Sequence, residues 1–139
     1  DQVLDLNLRG VFLTTRFALP SMLNGGSGKI INIASQQGIL GVPERVHYCA
    51  AKGGVISFTR ALARELAPDI TVNAVAPGPI ASGKREDPDA FRQQVGDSVP
   101  LGRVGEIKDV VSTVVFLASS KGDYYTGQTL SPDGGDAMH

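Results

Sequence analysis

Two short apolar runs with a long helical pattern between them constrain this chain more than any other feature. Lys29-Ile-Ile-Asn-Ile-Ala-Ser35 and Ile70-Thr-Val-Asn-Ala-Val-Ala76 are too short for stable helices and are bounded by turn residues. Runs of that kind read as strands buried on both faces. Between them, from about Val46 to Ala67, Val55, Phe58, Leu62 and Leu66 recur on one helical face, and Pro68 closes the pattern. Arg60, Arg64 and Glu65 form its solvated side. Strand, helix and strand in that order make a β-α-β unit, whose strands are parallel and whose crossover is right-handed. The fold class is therefore α/β, built on a parallel sheet.

The flanking segments fit that frame. Residues 1 to about 23 read as an amphipathic helix with Val3, Leu4, Leu8, Val11, Phe12, Thr15 and Leu19 on its stripe, and with no cap before it. Pro20 is expected to kink or end that helix. Gln36 to Arg45 reads as a loop, and Pro77 to Ser82 as a turn that offers backbone groups to a ligand. A short helix is predicted over Asp89–Val95. A longer one covers Glu106–Ser119, with Ile107, Val110, Val111, Val114, Val115 and Leu117 inward. A last strand is expected over Thr126–Ser131. Gly53 and Gly54 cost about 1 kcal/mol each against Ala in a helix. That cost predicts close approach of another backbone, read as a helix of a second subunit.

Composition narrows the function. With 139 residues, 42% of them hydrophobic and 19% charged, the chain suits one packed domain. A formal net charge of −1 gives no basic surface for nucleic acid. No apolar run reaches membrane-spanning length. Cys49 is the single cysteine, which fits a reducing cytoplasm. His47 and His139 make no metal-ligand spacing with it.

Ser35, Tyr48 and Lys52 carry the chemistry. Ser35 ends a parallel strand, and ligands bind outside the carboxyl ends of such strands. Tyr48 and Lys52 are four apart on the long helix and share a face. A free phenol ionises near pH 10, too weakly to act as a base at neutrality, and a nearby cation favours the phenolate. Tyr48 then exchanges a proton with an alcohol or carbonyl oxygen that Ser35 holds by a hydrogen bond. Gln37 and His47 flank the pair and are candidate substrate contacts.

Several segments in order resemble one known family. They include Asn7-Leu-Arg-Gly10, Ile31-Asn-Ile-Ala-Ser35, Tyr48-x-x-x-Lys52, Val72-Asn-Ala-Val-Ala-Pro-Gly-Pro-Ile80 and Asp133-Gly-Gly135. Together they resemble the short-chain dehydrogenase/reductase family in its form of about 250 residues, near the 3-oxoacyl-carrier-protein reductases and the sugar or polyol dehydrogenases. The resemblance implies a Rossmann-type doubly wound parallel sheet, of which residues 1–139 supply the C-terminal half of one domain. It implies Tyr48 as acid/base, Ser35 as orienting group and Lys52 as ribose contact that eases Tyr48 ionisation. Asn7 would hold a relay water. Pro77, Gly78, Ile80 and Ser82 would meet the nicotinamide of NAD or NADP. The partners it implies are a small carbonyl or alcohol substrate and further copies of the chain, as a homotetramer or homodimer. The Gly-rich pyrophosphate loop of that family does not occur in this sequence, nor does the residue that separates NAD from NADP. A catalytically silent fragment or regulatory relative is the competing reading. A sugar-nucleotide epimerase or dehydratase also carries Tyr-x-x-x-Lys, but Thr126-Gly-Gln-Thr129 and Asp133-Gly-Gly135 speak against it.

Overall fold

A computed structural model describes residues 1–81 and 88–138. Both predicted strands form: β1 spans Gly28–Ile33 and β2 spans Ile70–Val75. They pair in parallel, with Gly28 opposite Ile70 and Ile33 opposite Val75. β3, Thr129–Leu130, is shorter than expected and lies parallel to β2 on its other side. Its approach is nevertheless extended, because Gly127 N–H donates to Val72 O at 2.7 Å and Ala74 N–H donates to Gln128 O at 2.8 Å. Asn73, buried in β2, fixes that approach by bonding both the Tyr125 carbonyl and the Gln128 N–H.

Helices cover both faces of the sheet. The first helical segment comprises α1 (Gln2–Leu4), a π-helical turn over Asp5–Arg9, and α2 (Gly10–Asn24). Asp1 caps it by accepting from Val3 N–H, contrary to the uncapped start expected. α2 also runs through Pro20 instead of ending there. The carbonyl that loses its donor belongs to Arg16, and both residues are exposed, so water can serve it. The long helix α4 is Val46–Leu66. Its Val55 and Ile56 pack with Ala34, Ala74 and Ala76, and Leu62, Ala63 and Leu66 pack with Ile70 and Val72. Leu8, Val11, Leu19 and Met22 of the first segment close over these two clusters. Asn32 reaches across from β1 to bond Thr59 Oγ1 at 2.9 Å, so the buried amide has its partner.

Three expectations need correction. The predicted 36–45 loop contains a one-turn helix, α3 (Gln37–Leu40). The Gly53–Gly54 pair is explained inside the chain: a Cβ on Gly38 would lie 2.6 Å from Gly53 N, and one on Gly54 would lie 2.9 Å from Leu8 Cδ2. The close approaches are thus between α3 and α4 at Gly53 and between the π-helical turn and α4 at Gly54, and they need no second subunit. In α6, Ile107–Ala118, Leu117 is buried and Val110 and Val114 are half-buried. Ile107, Val111 and Val115 are exposed, a second apolar stripe the helical spacing could not separate from the first. The predicted helix near Asp89 is α5, Pro88–Gly96.

α6 begins in a reciprocal cap between Glu106 and Asp109, and Arg103 Nη1 lies 2.8 Å from Asp109 Oδ2. The Arg103 hydrogen bond and the Glu106 N–H hold the Asp109 pKa down to about 2. A carboxylate depressed below its unfolded value stabilises the fold above about pH 4 and stops doing so as pH falls through its folded value. Asp109→Asn is therefore expected to lower the thermal midpoint at pH 7, with the difference from the parent closing as pH approaches about 2. Thermal unfolding followed across that pH range checks this.

β1 has a partner on one side only among the described residues. Along its other edge runs a groove of about 610 Å³, walled by α2 residues such as Val11, Ala18 and Met22 and by Ile31 and Ile33. Leu6 and Phe17 are exposed on the same segment.

Candidate active site

The carboxyl ends of β1 and β2 are sewn together beyond the strands themselves. Ala34 N–H donates to Val75 O at 2.7 Å and Gln36 N–H donates to Pro77 O at 3.1 Å. Ser35 lies between those two bonds, buried, and its Oγ accepts from Gln37 N–H at 3.2 Å. Backbone on both sides therefore fixes the hydroxyl.

A cleft of about 800 Å³ opens at this end of the sheet. Ser35, Gln37, His47, Tyr48, Gly78 and Ile80 all line it, and Asn7 reaches it from the π-helical turn. Seven predicted residues from four separate segments thus meet in one place. Extra-residue turns of the π type concentrate at functional sites in helices. Here the turn carries Asn7, whose Nδ2 donates to Val3 O at 3.1 Å.

Lys52 differs from expectation. It does not line this cleft; its side chain folds under Tyr48, with Nζ 5.8 Å from the ring centroid, within cation–π range. Nζ donates to Ile33 O at 2.9 Å, and the residue is a wall of the groove along the β1 edge. Asn7 lines both the cleft and that groove. Burial pushes the Lys52 pKa below its ordinary value.

The turn after β2 also differs in part. Pro77 gives its carbonyl to Gln36 and does not line the cleft, and Gly78 N–H donates to Pro132 O at 3.3 Å. Both backbone groups are thus engaged within the chain. Gly78 is needed for another reason: a Cβ there would sit 2.6 Å from Asp133 Cα. Ile80 lines the cleft. It bridges Gly105 through its neighbours, with Gly105 N–H donating to Pro79 O and Ala81 N–H donating to Gly105 O, both at 2.9 Å. In a parallel bridge the central residue's own N–H and C=O point the other way. Ser82 falls outside the described residues.

Sequence reasoning passed over Gln36, Glu44, Arg45 and Phe91, which also line the cleft. For Gln36 the available signal was adjacency to Ser35. Its partner Asp136, whose Oδ2 accepts from Nε2 at 2.9 Å, is 100 residues away and left no local trace. Among the described residues no cluster of His, Cys, Asp and Glu could hold a metal ion, and no helix is long and apolar enough to cross a membrane.

A family model described as enoyl-(acyl carrier protein) reductase matches residues 1–136. A 3-oxoacyl-(acyl-carrier-protein) reductase of Staphylococcus aureus is 47% identical over an alignment of 140 positions that covers 99% of this chain and 57% of that protein. One from Thermotoga maritima is 42% identical over 137 residues, 97% of this chain and 56% of the relative. The chain thus spans little more than half the length of the curated relatives it matches. A crystal structure of an acetoin dehydrogenase from Salmonella typhimurium superposes with a TM-score of 0.86 at 35% identity, covering 97% of this chain and 54% of that one. A short-chain dehydrogenase/reductase of the glucose/ribitol dehydrogenase type from Brucella melitensis gives a TM-score of 0.82 at 35% identity, covering 96% and 52%. The parallel sheet, the cleft at its carboxyl end and these likenesses agree: the chain belongs to the short-chain dehydrogenase/reductase family.

Proposed function

We propose that the whole protein is an NAD(P)-dependent oxidoreductase that interconverts a small carbonyl compound and the corresponding secondary alcohol. The observation that carries this reading is the joint presence of Ser35 and Tyr48 on one cleft, with the Lys52 ammonium beneath the Tyr48 ring. Tyr48 gives a proton to the carbonyl oxygen in reduction and takes it back in oxidation. Ser35 holds that oxygen through its hydroxyl, whose direction Gln37 N–H restrains. Lys52 stabilises negative charge as it develops on the phenol. Asn7, which lines both the cleft and the groove holding Lys52, suits a relay between Lys52 and solvent.

The cleft fits a nicotinamide, because the outward N–H and C=O of Ile80 match the donor and acceptor of a carboxamide. Ile80 and Ser82 would hold that group, and Tyr48 and Lys52 the adjoining ribose. When bound, it supplies the hydride or accepts it. The β1 edge, unpaired among the described residues, its apolar groove and the length of the relatives support a further reading. This chain is the C-terminal half of one cofactor-binding domain, and the other half covers that edge. The exposed Ile107, Val111 and Val115 stripe suits assembly into a homodimer or homotetramer of a cytoplasmic enzyme.

The test is a screen of the full-length protein with NADH and with NADPH against a panel of ketones and aldehydes. Oxidation of one cofactor with at least one ketone is expected. Failure to bind either cofactor, read by fluorescence titration, would sink the proposal.

A further inference from the structure

The Asp133-Gly-Gly135 motif takes no part in the proton transfer, yet its loop reaches the Ser35 end of the sheet. Gly78 N–H donates to Pro132 O at 3.3 Å, which docks the loop on the turn after β2. Asp133 is buried, and its two oxygens accept from Gly135 N–H and Ala137 N–H, both at 2.9 Å. Gly134 and Gly135 have φ of 72° and 91°, left-handed values that let the chain curl back over that carboxylate. One buried group thus holds the residues on both sides of Asp136.

Asp136, so held, faces Gln36, whose Nε2 donates to its Oδ2 at 2.9 Å. A carboxylate only accepts, so the contact takes the amide nitrogen. A bond to an ionised acceptor is among the stronger ones. Gln36 is buried, and its own N–H donates to Pro77 O. The residue is therefore anchored twice, once through its backbone and once through its side chain. It is also the middle of a turn. Ser35 Oγ accepts from Gln37 N–H at 3.2 Å, and Gly38 N–H donates to Ser35 O at 3.0 Å. The peptide between Gln36 and Gln37 carries the N–H that restrains the serine hydroxyl. Its orientation follows the position and tilt of Gln36, which the two anchors fix.

We propose that Asp136 is a positioning residue for the reaction: through Gln36 it holds the turn over residues 35–37 and so aims the Ser35 hydroxyl at the substrate oxygen. The inference rests on the carbonyl-reductase reading above and deepens it. A hydroxyl that drifts still hydrogen-bonds, but off the line that the reacting oxygen needs, so the cost falls on turnover and not on cofactor binding.

The full-length protein is assayed with its own cofactor at saturation, on the ketone it reduces best, well below the thermal midpoint of each variant. Asp136→Ala is expected to lower kcat/KM by about tenfold, the cost of a small misplacement of an orienting group, with cofactor affinity by fluorescence titration unchanged. Asp136→Asn keeps an oxygen that accepts from Gln36 Nε2 and should recover most of the loss. Gln36→Met removes the donor from the other side and should match Asp136→Ala. The double variant should fall no further than either, because one bond is broken in all three. In a Ser35→Ala background, read at high enzyme concentration, Asp136→Ala should cost nothing more, since no hydroxyl is left to aim. An Asp136→Ala protein with parental kcat/KM overturns the inference. So does a loss that persists in full without the Ser35 hydroxyl, or one that Asp136→Asn does not relieve. If Asp136→Ala does not fold, Gln36→Met with and without the Ser35 hydroxyl reads the same bond by the same criteria. In each of these cases the reductase reading stands. A parent that reduces no carbonyl overturns both.

Discussion

Tyr48→Phe is expected to lower kcat by about a thousandfold, in the middle of the range for loss of a general acid/base. That corresponds to about 4 kcal/mol of transition-state stabilisation. The substitution is discriminating because it removes one oxygen and little else. The ring that Lys52 underlies stays, and so does the packing of α4 around Gly38 and Gly53. A drop in turnover with cofactor binding preserved therefore reports proton transfer, not collapse of the site. Ser35→Ala gives the contrast, since it removes the group that orients the oxygen but leaves the proton donor in place. Full activity in the Tyr48→Phe protein, with its thermal midpoint unchanged, would remove Tyr48 from the reaction.

How much of this was legible beforehand depends on the range of the interaction. β1 and β2 could be read because an apolar run such as Ile70 to Ala76 has few other places to go, and it is indeed buried nearly throughout. That Ser35, Gly78 and Ile80 would lie on one cleft was legible because the carboxyl ends of parallel strands converge at one end of the sheet. The Ile107, Val111 and Val115 stripe was not, because spacing marks a face as apolar without saying whether anything covers it. Gly53 and Gly54 announced a close approach but not the approaching residue, which was Gly38 from the same chain on one side and Leu8 on the other. The π-helical turn at Asn7 adds a residue to the helix without any Pro or Gly inside it to mark the place. Gln36 was hidden most completely. Its side chain is held by a bond to Asp136, 100 residues away, which is no property of local sequence.

Lys52→Met separates the cost of the site from its use. Lys52 is 9% exposed and forms no ion pair among the described residues; Ile33 O is the acceptor its ammonium has. Desolvation without a compensating carboxylate disfavours the charged form, which is why its pKa is lowered. A methionine of similar length fills the same space without that penalty. The variant is therefore expected to unfold at a higher temperature than the parent at pH 7, while kcat falls by about a hundredfold through loss of the charge that eases Tyr48 ionisation. The pH dependence follows from the same shift. With the folded pKa below the unfolded one, the unfolded chain binds more protons in the interval between them, so the parent gains stability as pH rises through it. The stability advantage of Lys52→Met is thus full below the lowered folded pKa and shrinks as pH climbs from there toward the ordinary lysine value of about 10.4. Thermal unfolding from neutral to alkaline pH, run beside steady-state kinetics, measures both halves. A Met variant that keeps its turnover and melts lower would mean that the buried ammonium serves packing, and that Tyr48 draws its help from elsewhere.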